Sequence, residues 1–197
     1  RGRRRAQPWC IITPHCYMAV RRSGTDNRWG IGALGADGGL CQTAASTHIN
    51  KDHRMAELHP QLAQDCLTLG RFSLCHLLLM RDAHYPWFIL VPDRDDIREI
   101  HELSVADQQQ LLRESVGLSR ALERAFTPDK LNIAALGNLV PQLHLHHIVR
   151  YDTDPAWPAP VWGRLPAIPY DDYGLIQVIE KLRGALGDEF SFALDLP

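Results

Sequence analysis

With 197 residues, 45% of them hydrophobic and 22% charged, the chain has the makeup of a soluble globular protein, long enough for one α/β or α+β domain and short for two. No apolar run approaches the roughly 20 residues that span a bilayer. The longest, Leu77–Met80 and Phe88–Val91, are strand-sized, and a formal net charge of -2 excludes a strongly basic or acidic chain overall.

That small net charge conceals an asymmetry. Residues 1–54 carry nine Lys or Arg against three Asp, and they are rich in Arg and Gly with no sustained period of 2 or 3.6. A basic leader is compatible with a nucleic-acid arm or a targeting peptide. It holds no charged n-region followed by a clean apolar h-region, so secretion is not expected. Met55 stands immediately before Ala56-Glu57-Leu58-His59-Pro60, where globular patterning begins. The expectation is a basic, poorly ordered extension over 1–54, upstream of a natural start, and one folded domain over 55–197. A short strand around Cys10 to Val20 is the alternative. The five cysteines, Cys10, Cys16, Cys41, Cys66 and Cys75, contain no CxxC pair. Cys10, His15 and Cys16 match no common zinc spacing. Free thiols in a reducing cytoplasm are expected, without metal or cofactor.

In the folded part, Leu67–Gly70 and Phe72–Arg81 read as extended. Asp82-Ala83-His84-Tyr85-Pro86 interrupts the chain, and Trp87–Val91 forms a short apolar strand closed by Pro92. Adjacent extended runs joined by a short polar turn predict antiparallel pairing. Ser104 caps a helix, with Asp107 placed to complete a capping box. Leu111, Ser115, Leu118, Leu122 and Phe126 follow helical spacing on one stripe, and Pro128 prevents continuation. Asp129–Ala135 reads as a strand, Gly137 breaks it, and Val140–Val149 reads as the next. Asp154–Gly163 is too proline-rich for regular structure; its Trp157 and Trp162 suit packing, or closing a site or a dimer seam. A last helix is expected from about Asp172 to Leu186, ended by Gly187.

The chemistry concentrates in Gln142-Leu143-His144-Leu145-His146-His147. On a strand, Gln142, His144 and His146 share one face at roughly 7 Å intervals, while Leu143, Leu145 and Val149 enter the other. His147 falls with the leucines and is expected to be packed. Imidazole is both nucleophilic and titratable near neutral pH, so two on an open face suit attack on phosphorus and charge stabilisation. A satisfied core pair and a metal site are the alternatives at this point. His84 reads as a turn residue, and His59, His76 and His101 as surface or packing residues. Cys75 and His76 point apart if they share a strand.

The stretch from Asn132 to His146, Asn-Ile-Ala-Ala-Leu-Gly-Asn-Leu-Val-Pro-Gln-Leu-His-Leu-His, resembles the active-site hairpin of the histidine-triad (HIT) superfamily. Asp154-Pro-Ala-Trp-Pro-Ala-Pro-Val-Trp-Gly163 is similar to the tail of a bacterial HIT branch, and the resemblance spans roughly Leu67 to Gly163. It implies an α+β fold with an antiparallel sheet, one long helix and a C-terminal helix, and a homodimer. It further implies a nucleotide or nucleotide-conjugate substrate. His144 matches the residue that forms a covalent nucleotidyl-histidine, and His146 the histidine that contacts phosphate oxygens. Asn132 matches the family's strand asparagine, Asn138 a phosphate- or leaving-group-binding amide, and Gly137 the tight turn beside them. Gln142 replaces the first histidine, and a glutamine cannot carry a proton in catalysis. Pro92-Asp93-Arg94-Asp95 stands where the family often has Pro-x-x-His. The leading expectation is therefore a nucleotide-phosphate hydrolase or nucleotidyl transferase, against a nucleotide-binding protein weakened in catalysis, or a nucleic-acid factor using the leader.

Overall fold

The computed structural model describes residues 56–196. The basic segment 1–54 lies outside the described residues, as do Cys10, His15, Cys16 and Cys41 and the alternative strand near them. The described chain runs α1 (Pro60–Asp65), β1 (Cys66–Arg71), β2 (Cys75–Met80), β3 (Trp87–Pro92), a 3-10 turn (Ile100–Glu102), α2 (Val105–Phe126), β4 (Lys130–Ala134), β5 (Leu145–Arg150), α3 (Asp172–Arg183) and β6 (Ser191–Phe192). The six strands form an antiparallel sheet in the order β4-β5-β3-β2-β1-β6. This is the α+β architecture expected, with α1 and β6 as elements the sequence did not announce.

The hydrophobic pattern explains the layering. Central strands β3 and β5 are buried at every position. An antiparallel sheet usually alternates because one face meets water; here both faces are covered. On one face Leu77, Leu79, Phe88, Leu90, Leu145 and Val149 meet Leu111, Leu118, Leu122 and Phe126 of α2 and Ile179 and Leu182 of α3. On the other, Leu78, Ile89, Val91 and Ile148 join Trp87 with Leu62, Val140 and Val161. Membership follows strand parity. His146 pairs with Ile89 and projects from the second face, whereas His147 pairs with Phe88 and projects toward the helices.

Helix α2 begins where its cap predicts: the Ser104 hydroxyl accepts from the Asp107 N–H at 3.1 Å. The capping box is not completed. Asp107 instead receives Arg94 in a two-pronged ion pair, Nε at 3.0 Å and Nη2 at 2.8 Å. A charge-assisted fork outcompetes a single bond back to an exposed backbone N–H. At its other end Thr127 takes a left-handed conformation, φ 45°, ahead of Pro128. Buried Glu114 fastens the helix to β2, accepting from Leu74 N–H at 2.7 Å and Cys75 N–H at 2.9 Å. Helix α3 stops at Arg183 with Gly184 at its end, one turn before the Gly187 boundary expected.

The largest departure bears on the site. The strand expected from Val140 starts at Leu145. Pro141 has no N–H for a ladder, so the run cannot begin before it. Beyond it the Leu143 N–H donates to Ile97 C=O at 2.8 Å. Residues 140–144 therefore approach the sheet as an irregular lead-in, and the alternating-face argument does not govern Gln142 and His144.

Candidate active site

His144 sits just ahead of β5, buried at 5% exposure. Its Nδ1 donates to the carbonyl of Gln142 at 2.6 Å. That bond places the ring proton on Nδ1 and leaves Nε2 with a free lone pair. Gly137 lies against this ring. A Cβ there would stand 3.0 Å from the Val140 carbonyl and 3.8 Å from His144 Cε1, so close approach rather than an unusual φ requires glycine.

His146 has the opposite tautomer. The Trp87 indole N–H donates to its Nδ1 at 3.0 Å, and an indole can only donate. In the neutral ring the proton must then be on Nε2, which is buried. Burial pushes His146 down to about 4, the neighbouring His144 adds to this, and the Leu136 backbone works against it. The ring is neutral at pH 7 and offers one N–H. Its centroid lies 4.8 Å from His144, 5.5 Å from Trp87 and 5.4 Å from Trp162, each near edge-to-face.

His147 faces away. It is fully buried, and its Nδ1 donates to Leu145 C=O at 3.2 Å while its Nε2 accepts from the Ser115 hydroxyl of α2 at 2.8 Å. Burial pushes it to about 4 as well. It is a packing residue.

His144 and Asn138 stand between two cavities. The larger, about 740 Å³, is walled by His146, Trp87, Trp162, Leu62, Met80 and Val140, with His59, Gln61 and Asp65 at α1. The smaller, about 290 Å³, adds Arg98, Glu99, Gly137 and Gln142. Exposed Asn138 borders both. Two residues of the expected constellation are placed differently. Asn132, on β4 opposite Ile148, accepts on its Oδ1 from Arg150 Nη1 at 2.7 Å and lines neither cavity. The Gln142 carboxamide turns to the chain before α1, accepting from His59 N–H at 2.8 Å and donating to Glu57 C=O at 3.1 Å.

The sequence does not mark Trp87 or His59 as site residues. Trp87 carries no local signal, since its bond to His146 joins positions 59 apart and depends on strand register. His59 precedes Pro60, a helix-start pattern that places the ring at the head of α1. Of the other histidines, His84 bonds Asp82 at 2.7 Å and His76 faces Asp93 at 3.8 Å, away from both cavities. Cys66 and Cys75 are buried free thiols, and burial pushes Cys66 up to about 12. Trp162 borders the larger cavity, while Trp157 stacks under Arg150 at 5.6 Å. No helix among the described residues is long and apolar enough to cross a membrane.

An α+β domain that holds two buried imidazoles side by side at the start of a central strand is the class that fold and site define. A family model for the HIT domain matches residues 61–153. A histidine triad protein from Marinobacter aquaeolei is 54% identical, covering 67% of this chain and 96% of its own, with a TM-score of 0.65. One from Bradyrhizobium japonicum is 44% identical, covering 68% and 99%, TM-score 0.66. A third, from Sinorhizobium meliloti, is 40% identical, covering 66% and 97%, TM-score 0.65. No curated protein matches the chain. The chain belongs to the histidine triad (HIT) family.

Proposed function

We propose that this HIT protein is a nucleotide-phosphate hydrolase or nucleotidyl transferase working through a covalent nucleotidyl-His144 intermediate. The observation that carries the reading is the 2.6 Å bond from His144 Nδ1 to the Gln142 carbonyl, which frees Nε2 for attack. In the first step Nε2 bonds to the α-phosphorus as the bond to the leaving group breaks, and the leaving group takes a proton from solvent. In the second, water or another acceptor attacks phosphorus, the P–N bond breaks, and the acceptor's proton is released. The neutral ring is restored. Negative charge on the phosphoryl oxygens is met by the Asn138 amide and by His146 Nε2–H, which the Trp87 indole orients before the reaction. Leu62, Met80 and Val140 offer an apolar wall to a base.

A second reading, a nucleotide-binding protein with slow turnover, is favoured by one observation. The Gln142 carboxamide, at the position of the missing histidine, is occupied by Glu57 and His59. A homodimer is supported by the edge of β4, unpaired among the described residues, and by exposed Leu112, Val116 and Ile133. Brief exposure to an adenosine phosphoramidate followed by intact-mass analysis tests the enzyme reading. A nucleotide adduct that vanishes in His144→Ala is expected. Failure to form it, with turnover no faster than in that variant, supports the binding protein instead.

A further inference from the structure

Gln142 stands two residues before His144, and both ends of its amide grip the backbone of residues 57–59, 83 and 85 positions distant. A clamp of this kind fixes where α1 begins. His59 is the residue it holds: its N–H is the one received by Gln142 Oε1. The His59 side chain is also the N-cap of α1, its Nδ1 accepting from Gln61 N–H at 3.2 Å. With Nδ1 accepting, the neutral ring carries its proton on Nε2. That Nε2 has no hydrogen-bond partner among the described residues, and the half-buried ring borders the cavity shared by His144 and His146. The clamp thus brings a third imidazole to the nucleophile's cavity from a different part of the chain.

We propose that His59 is a substrate-binding residue that donates its Nε2–H to the phosphate of a bound nucleotide, and that Gln142 is the positioning residue that holds it there. The proposal rests on the reading of this cavity as a nucleotide-phosphate site. It assigns the missing imidazole function to α1, and it gives the Gln142 carboxamide a task that a solvent-facing glutamine would not have. The contact is a hydrogen bond, with no proton transferred, so it acts on affinity rather than on the chemical step.

The test is calorimetric titration of the protein with AMP and, separately, with adenosine. His59→Asn is the informative variant, because asparagine is a good N-cap and preserves the start of α1 while withdrawing the ring. Its dissociation constant for AMP is expected to rise about ten-fold or more, the worth of a hydrogen bond to a charged group, with adenosine binding unchanged. Gln142→Ala is expected to weaken AMP by a similar factor, and the double variant no further than Gln142→Ala or His59→Asn alone. Equal AMP affinity in His59→Asn and wild type overturns the assignment while leaving the His144 adduct, and so the reading of function, intact. Losses that multiply in the double variant also overturn it, because Gln142 then contacts the phosphate independently. Wild-type protein that binds neither AMP nor adenosine overturns both proposals.

Discussion

Trp87→Phe isolates one hydrogen bond on which the geometry of His146 depends. The substitution keeps an aromatic ring near His146 and Trp162, whose centroids lie 5.5 and 5.6 Å from the indole, and removes the N–H that His146 Nδ1 accepts at 3.0 Å. His146 is 4% exposed, so water cannot readily replace the donor. An orphaned buried acceptor costs about 1–3 kcal/mol, and the smaller ring adds a cavity term, so a stability loss of about 2–4 kcal/mol is expected in urea unfolding. The second consequence is specific to this bond. In wild type the indole excludes a proton from Nδ1, so His146 is held with its proton on Nε2. Without the indole the two neutral tautomers interchange. Long-range proton–nitrogen NMR of the imidazoles should show one His146 tautomer at pH 7 in wild type and a mixture in Trp87→Phe. A variant that keeps the pure Nε2–H tautomer, or loses less than about 0.5 kcal/mol, a change typical of surface substitutions, would refute the assignment of the indole as the orienting donor.

Acidification should also destabilise the fold through its buried histidines. His146 and His147 are both lowered from 6.5 to about 4. Between those values the unfolded chain binds protons that the folded chain refuses. Their contribution is therefore complete above about pH 6.5 and is lost as the pH falls toward 4, by up to roughly 3 kcal/mol for each ring. Urea titrations from pH 7 to 4 check this, and a His147→Gln variant with the same pH slope as wild type would count against it. Arg150 is buried with its guanidinium on both oxygens of Asp154, at 2.6 and 3.1 Å, on Asn132 at 2.7 Å and on Ala159 C=O at 3.0 Å. Arg150→Ala strands the Asp154 carboxylate and should cost about 3–5 kcal/mol. Calorimetric melting that shows a loss below 1 kcal/mol, the worth of an ordinary surface ion pair, would mean Asp154 finds another partner.

The residues that declare themselves in the sequence are those whose roles are local. Ser104, the α2 stripe and Pro128 mark a helix because capping, amphipathic spacing and ring closure act within one element. Gly137 and His144-Leu145-His146 mark the site for the same reason: two imidazoles two positions apart, beside a glycine turn, constrain each other wherever the chain places them. The apolar runs of β2 and β3 indicate burial, and the His147 parity with the leucines indicates its packing against α2.

Other assignments required the tertiary structure, for physical reasons that spacing does not contain. Asn132 and Gln142 are amides, able to donate and accept anywhere, so their partners depend on what the fold brings near: Arg150 in one case, the backbone of residues 57–59 in the other. Strand β5 starts at Leu145 because Pro141 interrupts the ladder and Ile97 receives the Leu143 N–H, so the row of three side chains suggested by alternation is replaced by a bent lead-in. The tautomers of the two histidines follow from a carbonyl two residues away for His144 and from an indole on the neighbouring strand for His146. Sequence alone determined that two imidazoles stand two positions apart beside a glycine turn, whereas the bent lead-in to β5 sets their centroids 4.8 Å from each other. Only the register of β3 against β5, and the clamp of Gln142 on the start of α1, decided where their protons reside and which third ring borders the cavity with them.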